Sequence, residues 1–267
     1  MQILSIVLSS LLLIGQSSGQ VVISTTRIRG TSVSFASLGP ETYDTAVFAI
    51  PGQETTVEDM TLGVFTAVTN GGCSNRTKVF TVDFGDTSYN LLDRQLIGEL
   101  ELNDVMDGMV KKFGKGRKVV LAGFSKGAQA IQRKIEGNLT SLGYSLVHKV
   151  QGQRKFLIGC ASSWTFLDRN VEWKYGLNNF PSKFDLEAIV PLVQTNEYLI
   201  ACGSKDNGSS DNSEEALAQG AGRVERAKSL MNNLVNNGVK VSMKMANGVG
   251  HNAGKVFEGT AGEYICS

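Results

Sequence analysis

Short apolar runs rich in β-branched residues alternate along the chain with longer segments whose apolar residues recur every three or four positions. The first pattern is typical of buried strands and the second of amphipathic helices. Their alternation predicts an α/β fold, with a mainly parallel central sheet and helices on both faces. The predicted strands are Val21–Ile28, Thr31–Ala36, Thr45–Ile50, Lys78–Phe84, Lys118–Gly123, Lys155–Gly159, Glu197–Ala201 and Val239–Met245. The predicted helices are Thr55–Thr69, Leu91–Phe113, Lys126–Glu136, a long helix within Asp211–Asn236 and a short one near Asn252–Phe257.

These segments follow one another without an internal repeat or a linker-like stretch, so residues 20–267 are predicted to form a single domain. The stretch near 161–191 is aromatic and irregular, and we expect it to be an insertion that covers the strand ends. It would form a lid or acyl pocket, or it would simply pack down on the domain. Its aromatic residues are Trp164, Phe166, Trp173, Tyr175 and Phe180.

Residues 1–19 differ from the rest of the chain. The apolar run Ile3–Ile14 is shorter than the roughly 20 residues that a spanning helix needs, and the small residues Ser17 and Gly19 follow it. This pattern predicts a cleaved secretory signal peptide and a secreted protein without a stable membrane span, with an uncleaved anchor as the alternative. Three sequons for glycosylation fit a secretory route, at Asn75, Asn138 and Asn207.

Cysteine usage agrees with an oxidising compartment. Four cysteines lie beyond the predicted leader, at Cys73, Cys160, Cys202 and Cys266. An even count in a secreted chain predicts two disulfides. Cys160 and Cys202 both follow predicted strands and can be bridged if those strands are neighbours. Cys73 and Cys266 would then pair or stay separate.

Charge and composition limit the classes of binding partner and cofactor that we expect. The chain has 26 basic and 25 acidic residues and a net charge of +1, which gives no reason to expect nucleic acid or an anionic membrane surface. It has two histidines and no Cys-x-x-Cys pair, so no metal site is predicted and no cofactor is expected. The composition leaves the oligomeric state open.

The candidate chemistry begins at a serine. Residues 119–127 read Val-Val-Leu-Ala-Gly-Phe-Ser-Lys-Gly, a buried-type strand that runs straight into Gly-x-Ser-x-Gly. A serine on a tight turn between a strand and a helix exposes its hydroxyl beside backbone amides that can hold an oxyanion. Gly123 and Gly127 would let this turn close. Ser125 is therefore the candidate nucleophile.

A serine nucleophile needs a general base and a carboxylate that orients it. His251 follows the last predicted strand in a glycine-rich loop, whereas His148 precedes a strand in a position suited to a surface side chain. Sites in such sheets lie beyond the carboxyl ends of the strands, so His251 is the candidate base. The acid should follow another strand between serine and histidine, which favours Asp206; Asp211, in the same loop, is the alternative.

An oxyanion hole needs two backbone donors. The N–H of Lys126, directly after the serine, would supply one. The loop after the strand Thr45–Ile50 would supply the other, through Gly52 or, preferably, Gln53, since Pro51 has no N–H. The Lys126 side chain would attract negative charge or simply point to solvent.

Several segments together resemble secreted or uncharacterised α/β-hydrolases of fungi and other microbes. They are Leu121–Gln129, Ala161–Phe166, Glu172–Asn178, Tyr198–Asn207, Leu217–Arg226 and Gly248–His251. The resemblance implies the α/β-hydrolase fold with nucleophile Ser125, acid Asp206 and base His251. The chain departs from the group at two points, with Pro51-Gly52 in place of His-Gly and with Lys126 after the serine. Both lie at the predicted oxyanion hole.

The first functional hypothesis is a serine hydrolase that cleaves a carboxylic ester or related acyl bond, acting on a small-molecule or lipid-like substrate. The second is an α/β-hydrolase-fold binding protein with a degenerate site, which the Pro51 loop favours, holding its ligand with the segment Trp164–Tyr175. A peptidase or amidase with the same triad is a third. Fold alone does not separate them.

Overall fold

The computed structural model describes residues 19–83, 96–97, 100–137, 154–179, 190–191 and 193–267. Its strands are β1 (Val22–Ile28), β2 (Thr31–Leu38), β3 (Thr45–Ile50), β4 (Thr77–Val82), β5 (Leu96–Ile97), β6 (Leu100–Glu101), β7 (Lys118–Phe124), β8 (Arg154–Gly159), β9 (Glu197–Gly203) and β10 (Lys240–Ala246). Its helices are α1 (Val57–Asn70), α2 (Leu102–Phe113), α3 (Lys126–Gly137), α4 (Glu214–Gln219), α5 (Arg223–Asn236), α6 (Ala253–Thr260) and α7 (Gly262–Cys266).

Eight strands form one mixed sheet in the order β1-β2-β4-β3-β7-β8-β9-β10. The pairs β1–β2 and β2–β4 are antiparallel, and every pair from β4–β3 to β9–β10 is parallel. The central strands are apolar on both faces, and every residue of β3 is buried, as expected for a sheet covered by helices. The carboxyl ends of β3, β7, β9 and β10 meet at one edge, which is where the predicted site residues follow.

The sequence correctly predicted the eight strands of this sheet, but one helical prediction was wrong. Helix α2 begins at Leu102, not Leu91, because Leu96–Ile97 pairs with Leu100–Glu101 in a short antiparallel ladder. Gly98 lies between these strands and disfavours a continuous helix. The long helix predicted within Asp211–Asn236 is α5, and the short helix α4 precedes it in the same range; Gly220, with a φ of 146°, separates the two. Helix α7 was not predicted.

Two disulfides tie the chain together. Cys160 and Cys202, at the ends of the neighbouring strands β8 and β9, are bonded to each other, and Cys73 is bonded to Cys266 near the other end of the chain. The prediction of two disulfides is confirmed. Of the sequon asparagines, Asn75 and Asn207 are exposed, and Asn138 lies outside the described residues, as do the predicted leader up to residue 18 and His148. No helix within the described ranges has the length and apolar character needed to span a membrane.

The described part of the aromatic insertion packs into the domain. Trp164 is fully buried, and its neighbours Leu167 and Leu177 belong to the hydrophobic core. Tyr175 is also buried and its hydroxyl bonds to Asp211. Over the residues that the structure describes, the insertion therefore packs down on the domain and does not form a lid. Phe180 lies outside those residues.

Candidate active site

Ser125 occupies a sharp turn between β7 and α3. It has a φ of 54°, a left-handed conformation that is uncommon for a residue with a side chain. Its N–H donates to the carbonyl of Gly159 at 2.7 Å, and its own carbonyl accepts from Ala128 and Gln129 in the first turn of α3. Hydrogen bonds on both sides thus hold this strained residue, a feature that clusters at functional sites. The turn is the strand–serine–helix arrangement expected from the sequence.

Close backbone packing explains the glycines around this turn. A Cβ on Gly123 would lie 2.4 Å from the Gly127 carbonyl oxygen, and one on Gly127 would lie 2.2 Å from the Ile50 carbonyl oxygen. A Cβ on Gly52 would come within 2.9 Å of the Ser125 Cβ. Only residues without side chains allow these approaches, which bring the loop after β3 against Ser125.

Asp206 and His251 meet across two neighbouring loops. The Asp206 Oδ2 atom lies 2.6 Å from Nδ1 of His251, and the aspartate side chain is only 2% exposed. Asp206 follows β9 and His251 follows β10. The loops touch because Gly203 has no side chain, since a Cβ there would lie 2.4 Å from the carbonyl oxygens of Val249 and Gly250. A backbone bond from Lys205 to Val249 also joins them.

His251 of this pair and Ser125 border the same cavity, of about 470 Å³. The His251 ring packs on the ring of Phe124, the residue before the serine, with centroids 4.7 Å apart. The Ser125 hydroxyl and the imidazole form no direct hydrogen bond to each other. In unliganded sites such bonds are often long and shorten when substrate binds. The arrangement brings together a hydroxyl, an imidazole and a buried carboxylate.

Asp211, the alternative acid, faces elsewhere. Its carboxylate accepts from the Tyr175 hydroxyl at 3.0 Å and from both the backbone and the hydroxyl of Ser213. Burial by itself would raise the pKa of Asp211, but hydrogen bonds from Ser213, Ser163 and Tyr175 outweigh it and lower the pKa. Asp211 therefore links the insertion to the start of α4, where the Ser213 side chain caps the helix.

The two predicted oxyanion donors also border the cavity. Gln53 lies in the loop between β3 and α1, and Lys126 is the first residue of α3. Within the described part of the chain, no group accepts a hydrogen bond from either backbone N–H. Both donors are therefore available to a ligand bound beside Ser125.

Arg223 is a site residue that sequence reasoning missed. Its Nη1 atom lies 3.2 Å from Oδ1 of Asp206, so each carboxylate oxygen has its own partner. The arginine also borders the cavity. It lies 17 positions beyond Asp206 at the start of another helix, and no local pattern links the two.

The cavity is lined mainly by polar and charged groups. Leu62 and Ala253 are the apolar side chains among the described residues that line it, and none of the insertion aromatics does. The charged residues along its wall are Glu54, Asp59, Lys126, Arg223, Lys255 and Glu258. The predicted aromatic acyl pocket is thus absent from the described lining.

Comparison with known proteins found no matching family model and no matching curated protein. Solved structures do match. The poly(3-hydroxybutyrate) depolymerase LpqC from Bordetella parapertussis is 13% identical, with a TM-score of 0.62 over 91% of this chain and 88% of that one. A ferulic acid esterase is 14% identical, with a TM-score of 0.53 over 93% and 96% of the two chains. A thermostable esterase from Pseudomonas putida is 15% identical, with a TM-score of 0.53 over 94% and 81%. With the strand order and the serine turn, these matches show that the chain has the α/β-hydrolase fold.

Proposed function

We propose that this protein is a secreted serine hydrolase that cleaves carboxylic esters. The observation that carries the proposal is the 2.6 Å contact of the buried Asp206 carboxylate with His251, at a cavity bordered by Ser125 on its strained turn. The fold neighbours named as esterases and as a polyester depolymerase support the same chemistry. No cofactor is required for it.

The proposed reaction follows from the position of each group. A carboxylate only accepts hydrogen bonds, so Nδ1 of His251 carries the proton shared with Asp206 and Nε2 is the basic nitrogen. Ser125 Oγ attacks the ester carbonyl carbon while its proton passes to Nε2. The carbonyl oxygen, now an anion, receives hydrogen bonds from the N–H groups of Gln53 and Lys126. The imidazolium then protonates the departing alkoxide.

An acyl group on Ser125 remains after the alcohol leaves. Water enters, His251 takes one of its protons, and the hydroxide attacks the acyl carbon. The second oxyanion uses the same two donors. The carboxylic acid departs as the proton on Nε2 returns to Ser125 Oγ, which restores the starting state.

The lining of the cavity favours a small, polar ester over a lipid-like one. Burial of an alkyl chain gains about 0.8 kcal/mol for each methylene that leaves water for an apolar wall. Here Leu62 is the largest apolar side chain on the described wall, and it is itself 46% exposed. A long acyl chain would therefore gain little from binding and would cover charged groups instead.

An ester panel tests the function and the substrate class together. We expect kcat/KM for 4-nitrophenyl acetate to exceed that for the decanoate by about tenfold or more, because the described part of the wall offers no apolar acyl channel. We expect no measurable turnover of 4-nitroacetanilide. Ser125→Ala supplies the blank for each compound.

Each result has a defined meaning. A preference that rises with chain length would contradict the polar substrate class, and anilide cleavage would indicate an amidase. Folded wild-type protein that hydrolyses no ester faster than the Ser125→Ala blank would favour a binding protein with a degenerate site, in keeping with Pro51 in the donor loop.

A further inference from the structure

The proposed triad acid has a second cationic partner besides the histidine. Oδ2 of Asp206 contacts His251, and Oδ1 contacts Nη1 of Arg223 at 3.2 Å. The arginine side chain is only 13% exposed and the aspartate side chain 2%. An ion pair this deep is screened less by water and salt than a surface pair. Arg223 therefore interacts strongly with the Asp206 carboxylate.

The chain fixes the arginine backbone directly against the acid loop. Arg223 is the first residue of α5, and its N–H donates to the Gly208 carbonyl at 3.2 Å. A Cβ on the preceding Gly222 would lie 2.3 Å from the Asn207 carbonyl oxygen, so only glycine allows the helix start to approach this closely. The guanidinium therefore extends to Asp206 from a backbone that these contacts hold against the acid loop.

The contacts of Arg223 differ from those of Arg226, one turn later on α5. Arg226 is fully buried and donates to the carbonyl oxygens of Ser162, Asp211 and Gly220, as expected of a structural brace. The Arg223 side chain instead contacts the site carboxylate through Nη1. Each arginine has one buried nitrogen without a hydrogen-bond partner among the described residues, Nε of Arg223 and Nη2 of Arg226, so the two differ in the group that they bind.

We infer that Arg223 is a positioning residue for the triad, an inference that rests on the proposed function. It holds Oδ1 of Asp206 so that Oδ2 stays aligned with His251 Nδ1. Arg223 acts through Asp206 and needs no contact with the reacting atoms.

Other charged residues lie around His251 on the cavity wall. Asp206 contacts the ring directly, and further charges come from α1, α3, α6 and the loop after β3. These further charged residues on the cavity wall are Glu54, Asp59, Lys126, Lys255 and Glu258. They are unchanged between Arg223 variants, so a difference between variants isolates the arginine.

The test compares Arg223→Met, which keeps much of the volume without the charge, with Arg223→Lys, which keeps the charge. For Arg223→Met we expect kcat to fall about 10- to 100-fold with KM within about threefold, as for a misaligned base. Arg223→Lys should recover part of kcat, because a cation at this position can still hold Oδ1 of Asp206.

A matched control and a readout without turnover complete the design. Lys228→Met removes an exposed cation from the same helix outside the cavity, and it should leave kcat unchanged. The chain has two histidines, so proton NMR resolves the His251 ring, assigned with His148→Gln. In Arg223→Met the His251 ring signals should shift or broaden at constant pH, because the imidazole loses its fixed orientation, and in Lys228→Met they should not.

The outcomes separate the two proposals. Unchanged His251 ring signals in folded Arg223→Met overturn the role of Arg223, whether or not the protein hydrolyses esters. A loss of kcat that only follows a loss of unfolding free energy, with no recovery in Arg223→Lys, also overturns it. A change confined to KM would make Arg223 a substrate contact instead. Failure of the proposed function shows separately, as wild-type protein without Ser125-dependent hydrolysis.

Discussion

Ser125→Ala should lower kcat/KM for ester hydrolysis by about 10⁵-fold or more, which is the scale of losing a triad nucleophile. In the proposed reaction the Ser125 oxygen is the protein atom that forms a covalent bond to the substrate, and the methyl group of alanine cannot form that bond. The fold should persist, because the turn is held by backbone bonds to Gly159, Ala128 and Gln129, which alanine retains. Initial rates with 4-nitrophenyl acetate and a thermal melt measure both expectations.

Ser229→Ala is the matched control, since it removes the same hydroxyl from helix α5 at a position outside the cavity. We expect it to keep the wild-type rate. A Ser125→Ala protein that is folded and retains most of the ester hydrolysis would show that another residue is the nucleophile.

Asp206→Asn should lower kcat by about 10⁴-fold, the loss measured when a triad aspartate becomes asparagine. The amide cannot stabilise the imidazolium as an anion does, and it leaves the partly buried Arg223 without its counter-charge. Asp211→Asn should keep kcat within a few-fold, because Asp211 contacts Tyr175 and Ser213 and not His251. Initial rates of the two variants decide between the acids that sequence alone left open.

Asp211→Asn should instead lower the free energy of unfolding by about 1 to 2 kcal/mol at neutral pH, because the hydrogen bonds that the Asp211 anion accepts are replaced by weaker ones to a neutral amide. Because folding lowers the pKa of Asp211, its contribution is present above the ordinary value of 3.8 and is lost as the pH falls below it. The difference from wild type in urea titrations should therefore shrink below that pH. A large loss of kcat in Asp211→Asn with a small one in Asp206→Asn would exchange the two assignments.

The serine turn was predictable because its determinants are local. A strand, the two glycines at 123 and 127, and the serine all lie within one short segment, and the structure adds only which backbone atoms lie against the two glycines. His251 was predictable for a different reason, since the chain has only two histidines and one of them follows the last strand.

The acid and its arginine show where sequence reasoning ends. Asp206 and Asp211 lie five residues apart in one polar loop. Only contacts with distant residues distinguish their roles, because Asp206 contacts His251 and Asp211 contacts Tyr175. Arg223 reaches Asp206 only because Gly222 allows α5 to dock on the acid loop. Such tertiary contacts leave no periodic signal in the chain.

The character of the cavity was also hidden from the sequence. The aromatic segment was a reasonable candidate for an acyl pocket, but the burial of Trp164 and the hydrogen bond from Tyr175 to Asp211 draw it into the domain. Charged residues of α6, Lys255 and Glu258, border the cavity instead. A helix only eight residues long gives little periodic pattern from which to assign its exposed face.

The most direct measurement is covalent labelling of the folded wild-type protein with a fluorophosphonate, followed by peptide mass mapping. The serine oxygen displaces fluoride at phosphorus, so the adduct marks whichever hydroxyl has an effective base beside it. We expect one adduct per chain, on the peptide that contains Ser125, and none in Ser125→Ala. Folded wild-type protein that forms no adduct, or one that persists on another residue in Ser125→Ala, would contradict the assignment of Ser125, His251 and Asp206 as a working triad.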